Sequence, residues 1–127
     1  MNDSGMVAGT YLNKQVLRGF IYTPDTGLSD LETPVDSGQY TVRAINNVGV
    51  VVGIFTDDQS GAMRPFRFTR ARGMEDLNNF IDSNQKVTLE AAIAINSLGQ
   101  ILAVGEQSGV RAYFLLNPFS IPPPELP

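Results

Sequence analysis

The stretch Ala44-Ile45-Asn46-Asn47-Val48-Gly49-Val50-Val51-Val52 decides the fold of this chain. Its first asparagine precedes its glycine by three residues between two apolar segments, a spacing typical of a tight hairpin. The asparagine side chain can cap a type I turn, and the glycine can take the left-handed position that follows it. Alternation over 40–45 predicts a strand before the turn, with Tyr40, Val42 and Ala44 on one face, and the apolar run 50–52 predicts a buried strand after it. The predicted unit is a β-hairpin.

The same pattern recurs along the chain. Asparagine precedes glycine by three residues at Asn2 and Gly5, Asn46 and Gly49, and Asn96 and Gly99. An aromatic block follows each glycine, led by Phe20, Phe66 and Tyr113. In the first two copies a Gly-x-x-Asp-Leu block follows, containing Asp30 and Asp76. Because the blocks agree in order and spacing, we predict a repeat protein.

The repeats divide the chain into a single repeat domain over 1–118, with units of about 1–39, 40–86 and 87–118, and a Pro-rich tail over 119–127. Each unit offers three or four short strands, and no long amphipathic helix is apparent. We therefore predict an all-β fold of about three hairpin or blade-like repeats, similar to an incomplete β-propeller. A β-trefoil is the alternative, since three repeats in about 127 residues is its usual size.

The recurring polar positions are interpreted as turn residues: Asn2, Gly5, Asn46, Gly49, Asn96, Gly99, Asp30 and Asp76. Asp30 and Asp76 have a second interpretation, because paired carboxylates can serve as acid and base in glycoside hydrolysis. An active site seldom uses every repeat alike, so their recurrence favours the structural role.

Composition restricts the chemistry. The chain has no cysteine, histidine or tryptophan, which removes thiol nucleophiles, imidazole bases and the preferred ligands of zinc, copper and haem iron. Asp57 and Asp58 offer oxygen atoms of the kind calcium accepts, but they lack the spacing of an EF-hand loop. A solvated hairpin tip is the simpler interpretation, and we predict no cofactor and no metal site.

Charge argues against two classes of partner. The net charge of −4 repels phosphate backbones and anionic lipids. One cluster resembles a single-strand nucleic-acid platform, because basic and aromatic residues alternate in it: Arg64, Phe66, Arg67, Phe68, Arg70 and Arg72. Neighbouring acidic residues balance it, which favours a polar strand face. No apolar stretch approaches the roughly 20 residues that span a bilayer. We predict neither a nucleic-acid nor a membrane partner.

The motifs as a set resemble the HAF repeats of predicted extracellular bacterial proteins, over nearly the whole chain. The last third, with Leu89-Glu90-Ala91-Ala92-Ile93-Ala94-Ile95-Asn96, is similar to the way such arrays end. The resemblance implies propeller-like blades and exposure outside the cell, and it transfers no catalytic residue. Family members usually carry more repeats and a secretion signal, whereas this chain shows no signal peptide and begins inside a repeat. The compartment stays open.

The predicted function is a non-catalytic binding or scaffolding module with an unspecified ligand. The alternatives are a hydrolase that uses loop carboxylates and a structural fragment of a larger assembly. A closed propeller typically uses at least four blades. The sequence shows no strand pattern before Asn2 and no Gly-x-x-Asp-Leu block after Leu116. Strand edges left without neighbours invite pairing with another chain, so we expect a homo-oligomer formed through unpaired strand edges.

Overall fold

The structure is a computed structural model that describes residues 4–13, 16–31, 38–57, 60–70, 72–80 and 86–117. Ten strands and one 3-10 helix, Leu77–Phe80, make up its regular elements. The strands are β1 (Val7–Asn13), β2 (Val16–Thr23), β3 (Gly27–Asp30), β4 (Gly38–Ile45), β5 (Val51–Asp57), β6 (Met63–Thr69), β7 (Gly73–Asp76), β8 (Val87–Ile95), β9 (Ile101–Gln107) and β10 (Val110–Leu116). Within these ranges, no helix has the length and apolar character needed to cross a membrane.

The strands form three open antiparallel sheets that follow one another along the chain. Sheet 1 has the order β1-β2-β3, sheet 2 the order β4-β5-β6-β7, and sheet 3 the order β10-β9-β8. The prediction of an all-β fold is confirmed. The β-trefoil alternative is wrong, because a trefoil is built around a barrel and the described strands close none.

The three sheets share one pairing register. Gly9 lies opposite Phe20 in sheet 1, as Gly53 lies opposite Phe66 in sheet 2. In sheet 3 the equivalent pair is Ala103 and Phe114. The alignment by spacing, which matched Tyr113 to Phe20 and Phe66, is therefore wrong by one residue. Because successive side chains of a strand point to opposite faces, that one residue moves Tyr113 to the other face of its sheet.

The equivalent strands can be read from the register. β1, β5 and β9 correspond to one another, as do β2, β6 and β10. β3 corresponds to β7, and β4 corresponds to β8. Within the described residues, sheet 1 has no counterpart of β4 and sheet 3 has no counterpart of β7.

Two hydrophobic cores hold the sheets together, with sheet 2 between the other two. We call the face that a sheet turns towards the preceding sheet its front face, and the opposite face its back face. The first core joins the back of sheet 1 to the front of sheet 2 through Ile21, Leu31, Tyr40, Val51 and Phe66. The second joins the back of sheet 2 to the front of sheet 3 through Val52, Leu77, Leu89, Ala92, Ile101, Ala103 and Leu116.

A β-bulge changes the predicted alternation in β4. The register shifts between Val42 and Ala44, so one extra residue lies between them. Val42 and Ile45 therefore join the first core, whereas Ala44 packs against the second. The predicted face of Tyr40, Val42 and Ala44 is wrong at its last member, because a bulge inserts a residue and reverses the side-chain parity beyond it.

Candidate interaction surface

The Asn-x-x-Gly turns are closed by backbone and side-chain bonds. In the second copy, the backbone N–H of Gly49 donates to the carbonyl of Asn46 at 3.2 Å, and Gly49 has a φ of 87°. Asn46 Oδ1 accepts from the N–H groups of Val48 at 3.2 Å and Val50 at 2.9 Å. The side chain thus occupies two backbone donors that the turn leaves unpaired.

The other two copies are comparable as far as the structure describes them. Asn96 Oδ1 accepts from the N–H groups of Leu98 at 3.0 Å and Gln100 at 2.9 Å. Gly5 and Gly99 also have positive φ, at 77° and 86°. The first asparagine, Asn2, lies outside the described residues. These bonds assign the described members of the motif to the turn itself.

Asn46 differs from Asn96 in its surroundings. Asn46 is only 4% exposed, and its Nδ2 donates to the backbone carbonyl of Asn96 at 3.2 Å, which links two successive turns. Asn96 is exposed, and its Nδ2 donates to Oε1 of Gln100 at 2.8 Å. The same motif therefore links two sheets by a hydrogen bond in one copy and forms only a surface turn in the other.

We expect Asn46→Ala to lower the free energy of unfolding by about 3 kcal/mol, because it leaves the buried N–H of Val50 without an acceptor and also removes the bonds to the Val48 N–H and to the next turn. The matched variant Asn96→Ala removes the same turn bonds at an exposed position, where water replaces them, and should cost about 1 kcal/mol or less. Urea denaturation measures both. Equal losses of unfolding free energy in the two variants would contradict the role of Asn46 in linking two sheets.

The two recurrent aspartates lie on the front faces of different sheets, each held by its own partner. Tyr11 Oη donates to Asp30 Oδ1 at 2.7 Å. This bond raises the pKa of Tyr11, since only the neutral phenol can donate it, and partial burial and the charge of Asp30 act in the same direction. Asp76 Oδ2 accepts from Arg64 at 3.2 Å, and its Oδ1 accepts from the Asn78 N–H at 2.9 Å. The structure does not bring the two carboxylates together as an acid and a base.

The basic cluster does not form an aromatic platform. Phe66 and Phe68 lie on the front face of sheet 2, in the first core, so their rings do not face solvent as bases would require. Arg67 points to the back face instead and is only 4% exposed. It donates to Oε1 of Glu75 from Nη2 at 2.8 Å and from Nε at 3.1 Å. The arginine with the closest ion pair of the cluster therefore belongs to the packing of the sheets.

The calcium candidates give no described site. The backbone of Asp57 closes its hairpin, donating to Ala62 at 3.0 Å and accepting from Gly61 at 2.8 Å. Asp58 lies outside the described residues. Over the part of the chain that the structure describes, no three acidic side chains gather where they could hold a metal ion.

An apolar surface that the sequence patterns did not single out lies on the back of sheet 3. Leu115 pairs with Leu102, and Tyr113 pairs with Val104, so the four side chains share one face. Tyr113 is 71% exposed and Leu115 is 59% exposed. We call these four residues the outer back face. Exposed apolar side chains grouped in this way mark interaction surfaces more often than single ones do.

The equivalent positions in the other sheets are covered. Leu102 and Leu115 correspond by register to Ala8 and Ile21 in sheet 1, which pack on sheet 2. In sheet 2 the corresponding residues are Val52 and Arg67, which are almost completely buried. In sheets 1 and 2, the following sheet packs on the face that corresponds to the outer back face of sheet 3.

The opposite end of the stack carries a second apolar surface. On the front of sheet 1, Tyr11 packs against Phe20 with ring centroids 6.3 Å apart, and the neighbouring pair of Tyr22 and Leu28 is exposed. We call these four residues the outer front face. Both ends of the three-sheet stack therefore present apolar side chains.

Comparisons of the chain with protein-family models, with curated proteins and with solved structures gave no match.

Proposed function

We propose that this chain is a non-catalytic binding and scaffolding module that acts through the outer faces of its sheet stack. The observation that carries the proposal is the outer back face. Leu102 and Leu115 occupy positions that are covered by a following sheet in both other sheets of the same chain, yet here Leu115 and its neighbour Tyr113 are exposed. Covering such a surface removes apolar area from water, which favours binding.

The arrangement of the polar residues supports this proposal over hydrolysis. Asp30 bonds to Tyr11 and Glu90 bonds to Arg111 at 2.8 Å, so these carboxylates are engaged in separate local contacts. Asn46 with Gly49 and Asn96 with Gly99 close turns. The outer back face, in contrast, is apolar, and an apolar surface supports binding and not acid–base chemistry.

The resemblance to HAF repeats agrees with the same proposal. Under it, the three sheets are successive blades of a propeller-like stack, and the chain works by holding other surfaces in place. Its function then depends on which surface covers each end of the stack.

The neutral dye Nile red tests whether the outer back face binds apolar groups in the folded chain. We expect its fluorescence to rise with the native protein and most of that rise to be lost in the double variant Tyr113→Lys and Leu115→Lys. The matched control is Val48→Lys and Leu98→Lys, which changes two exposed apolar side chains at turn tips. Dye binding that is absent, or equal in all three proteins, would contradict the proposal. Circular dichroism should show the same fold in each.

A further inference from the structure

Resting on the proposed function, we infer that the occupant of the outer back face is the outer front face of a second copy of this chain. The two ends of the stack are different surfaces, so the contact is head to tail. Such a heterologous contact leaves one face of each kind open on a pair of copies, or closes into a ring.

The front faces of sheets 1 and 2 are built alike. By register, Tyr11, Phe20 and Tyr22 correspond to Phe55, Phe66 and Phe68. In sheet 2 these aromatic side chains pack in the first core, against the back of sheet 1. Sheet 1 repeats the same aromatic surface, but within the described residues no sheet covers it.

The ring positions on the two front faces also coincide. The Phe20 ring lies over Gly9, so close that an added Cβ would be 2.8 Å from it. The Phe66 ring lies over Gly53 in the same way, at 2.9 Å. The outer front face therefore matches the covered one in the placement of this ring as well as in its aromatic residues.

The back face of sheet 3 matches, at two positions, the surface that covers a front face of this kind. Sheet 1 covers sheet 2 with Ala8 and Ile21, and sheet 3 has Leu102 and Leu115 at those two positions. All four are aliphatic. Sheet 2, by contrast, has the buried Arg67 there. At these two positions a head-to-tail contact between copies would repeat the packing seen between sheets 1 and 2, whereas Tyr113 and Val104 stand where sheet 1 has Gly19 and Thr10.

Charge does not oppose this contact. The back of sheet 3 carries Arg111 in an ion pair with Glu90 at 2.8 Å, beside Glu106 opposite Arg111. The front of sheet 1 carries Arg18 opposite Tyr11, and Asp30 opposite Phe20. Each face has both signs, so neither presents a block of like charge to the other.

The contact between copies should be weak, because sheet 1 has no described counterpart of a strand that both internal junctions use. In both internal junctions the strand that approaches the preceding sheet most closely is the first strand of the following one, β4 or β8. Sheet 1 has no described counterpart of these strands. The contact between copies is therefore smaller than the internal junctions, and we expect reversible association that depends on concentration.

Complementation between two variants tests the inference. The back variant carries Tyr113→Lys and Leu115→Lys, the front variant carries Tyr22→Lys and Leu28→Lys, and the control carries Val48→Lys and Leu98→Lys. All six positions are exposed, so the fold should survive. Sedimentation equilibrium of each protein, up to about 1 mM, reports the mass relative to the 13.8 kDa monomer.

We expect the unchanged chain and the control to associate, and each face variant alone to associate at least about tenfold more weakly, since lysine would be buried against apolar groups. An equimolar mixture of the two face variants should regain association and stop at a pair, because only one intact front and one intact back remain in it.

Three results would overturn the inference. A monomer at every concentration would do so, and Nile red binding that persists in that protein would leave the proposed function standing. Association of the front variant alone, with no gain on mixing, would indicate a back-to-back pair. Association of both variants at the strength of the unchanged chain would place the contact at strand edges instead.

Discussion

Gly53→Ala is expected to lower the free energy of unfolding by about 3 kcal/mol, although it adds only one methyl group. A Cβ at this position would lie 2.1 Å from the carbonyl oxygen of Thr41 and 2.9 Å from the Phe66 ring. The ring is a side chain and can shift, but the carbonyl belongs to the backbone of β4 in the middle of the stack. The substitution must therefore move a strand that packs on sheet 1.

The matched control is Gly9→Ala, at the equivalent position of sheet 1. There the three nearest atoms to an added Cβ all belong to the Phe20 ring, at 2.8 Å and beyond, and Ala103 stands at the same position in sheet 3. We expect a loss of about 1 kcal/mol or less. Urea denaturation compares the two variants. Equal losses would mean that the ring contact shared by both sites, and not the Thr41 carbonyl, is responsible.

The clash at Gly53 shows what the sequence could not reveal about the fold. Gly53 lies opposite Val42, where the β4 bulge begins, and a bulge brings the neighbouring backbone close. Gly105 stands in the same relation to a bulge in β8, with the Thr88 carbonyl 2.2 Å from an added Cβ. Alternation alone predicts a regular strand, so it assigned Ala44 to the wrong face. The sequence did contain one signal of the two bulges, because Gly53 and Gly105 are glycines inside the strands that pair with β4 and β8.

The turns were predictable because their chemistry is local. In the two copies whose asparagine the structure describes, the motif fixes bonds within five residues, as Asn46 does from its own backbone to Val50. Strand composition on either side then sufficed for an all-β prediction. The turn prediction and the all-β prediction both used only residues that lie close together in the sequence.

The candidate surface was not predictable from the motifs, since it depends on which sheet covers which. Recurrence matched Tyr113 to Phe20 and Phe66, but the register places Phe114 at that position. Strand parity could have found the outer back face, because Tyr113 and Leu115 share a side opposite to Phe114 and Leu116. Whether that side is covered is a property of the assembled stack.

The second large effect is expected at the ion pair on the back of sheet 2. Glu75→Ser should lower the free energy of unfolding by about 3 to 4 kcal/mol, because Arg67 is only 4% exposed and would lose the carboxylate that accepts two of its N–H bonds. Arg72 approaches Glu75 less closely, at 3.8 Å, and is partly exposed, so it should contribute little of this loss.

Sheet 1 of the same chain indicates a second substitution that should restore the stability lost in Glu75→Ser. By register, Ile21 and Ser29 of sheet 1 occupy the positions of Arg67 and Glu75. The double variant Arg67→Ile and Glu75→Ser therefore replaces the ion pair with a pair that the same fold already accommodates. We expect it to recover most of the loss, to within about 1 kcal/mol of the unchanged chain, since an uncharged pair avoids the desolvation of two charges.

A double-mutant cycle in urea, completed by Arg67→Ile alone, measures the coupling between the two positions. The comparison pair is Arg111 with Glu90, where Arg111 is 60% exposed and Glu90→Ser should cost about 1 kcal/mol or less, with the loss reduced by added salt. The loss at Glu75 should change little with salt, because Arg67 is only 4% exposed and Glu75 only 17%. If the losses of the two single variants simply add in the double variant, the destabilisation comes from lost packing contacts and not from an arginine deprived of its carboxylate.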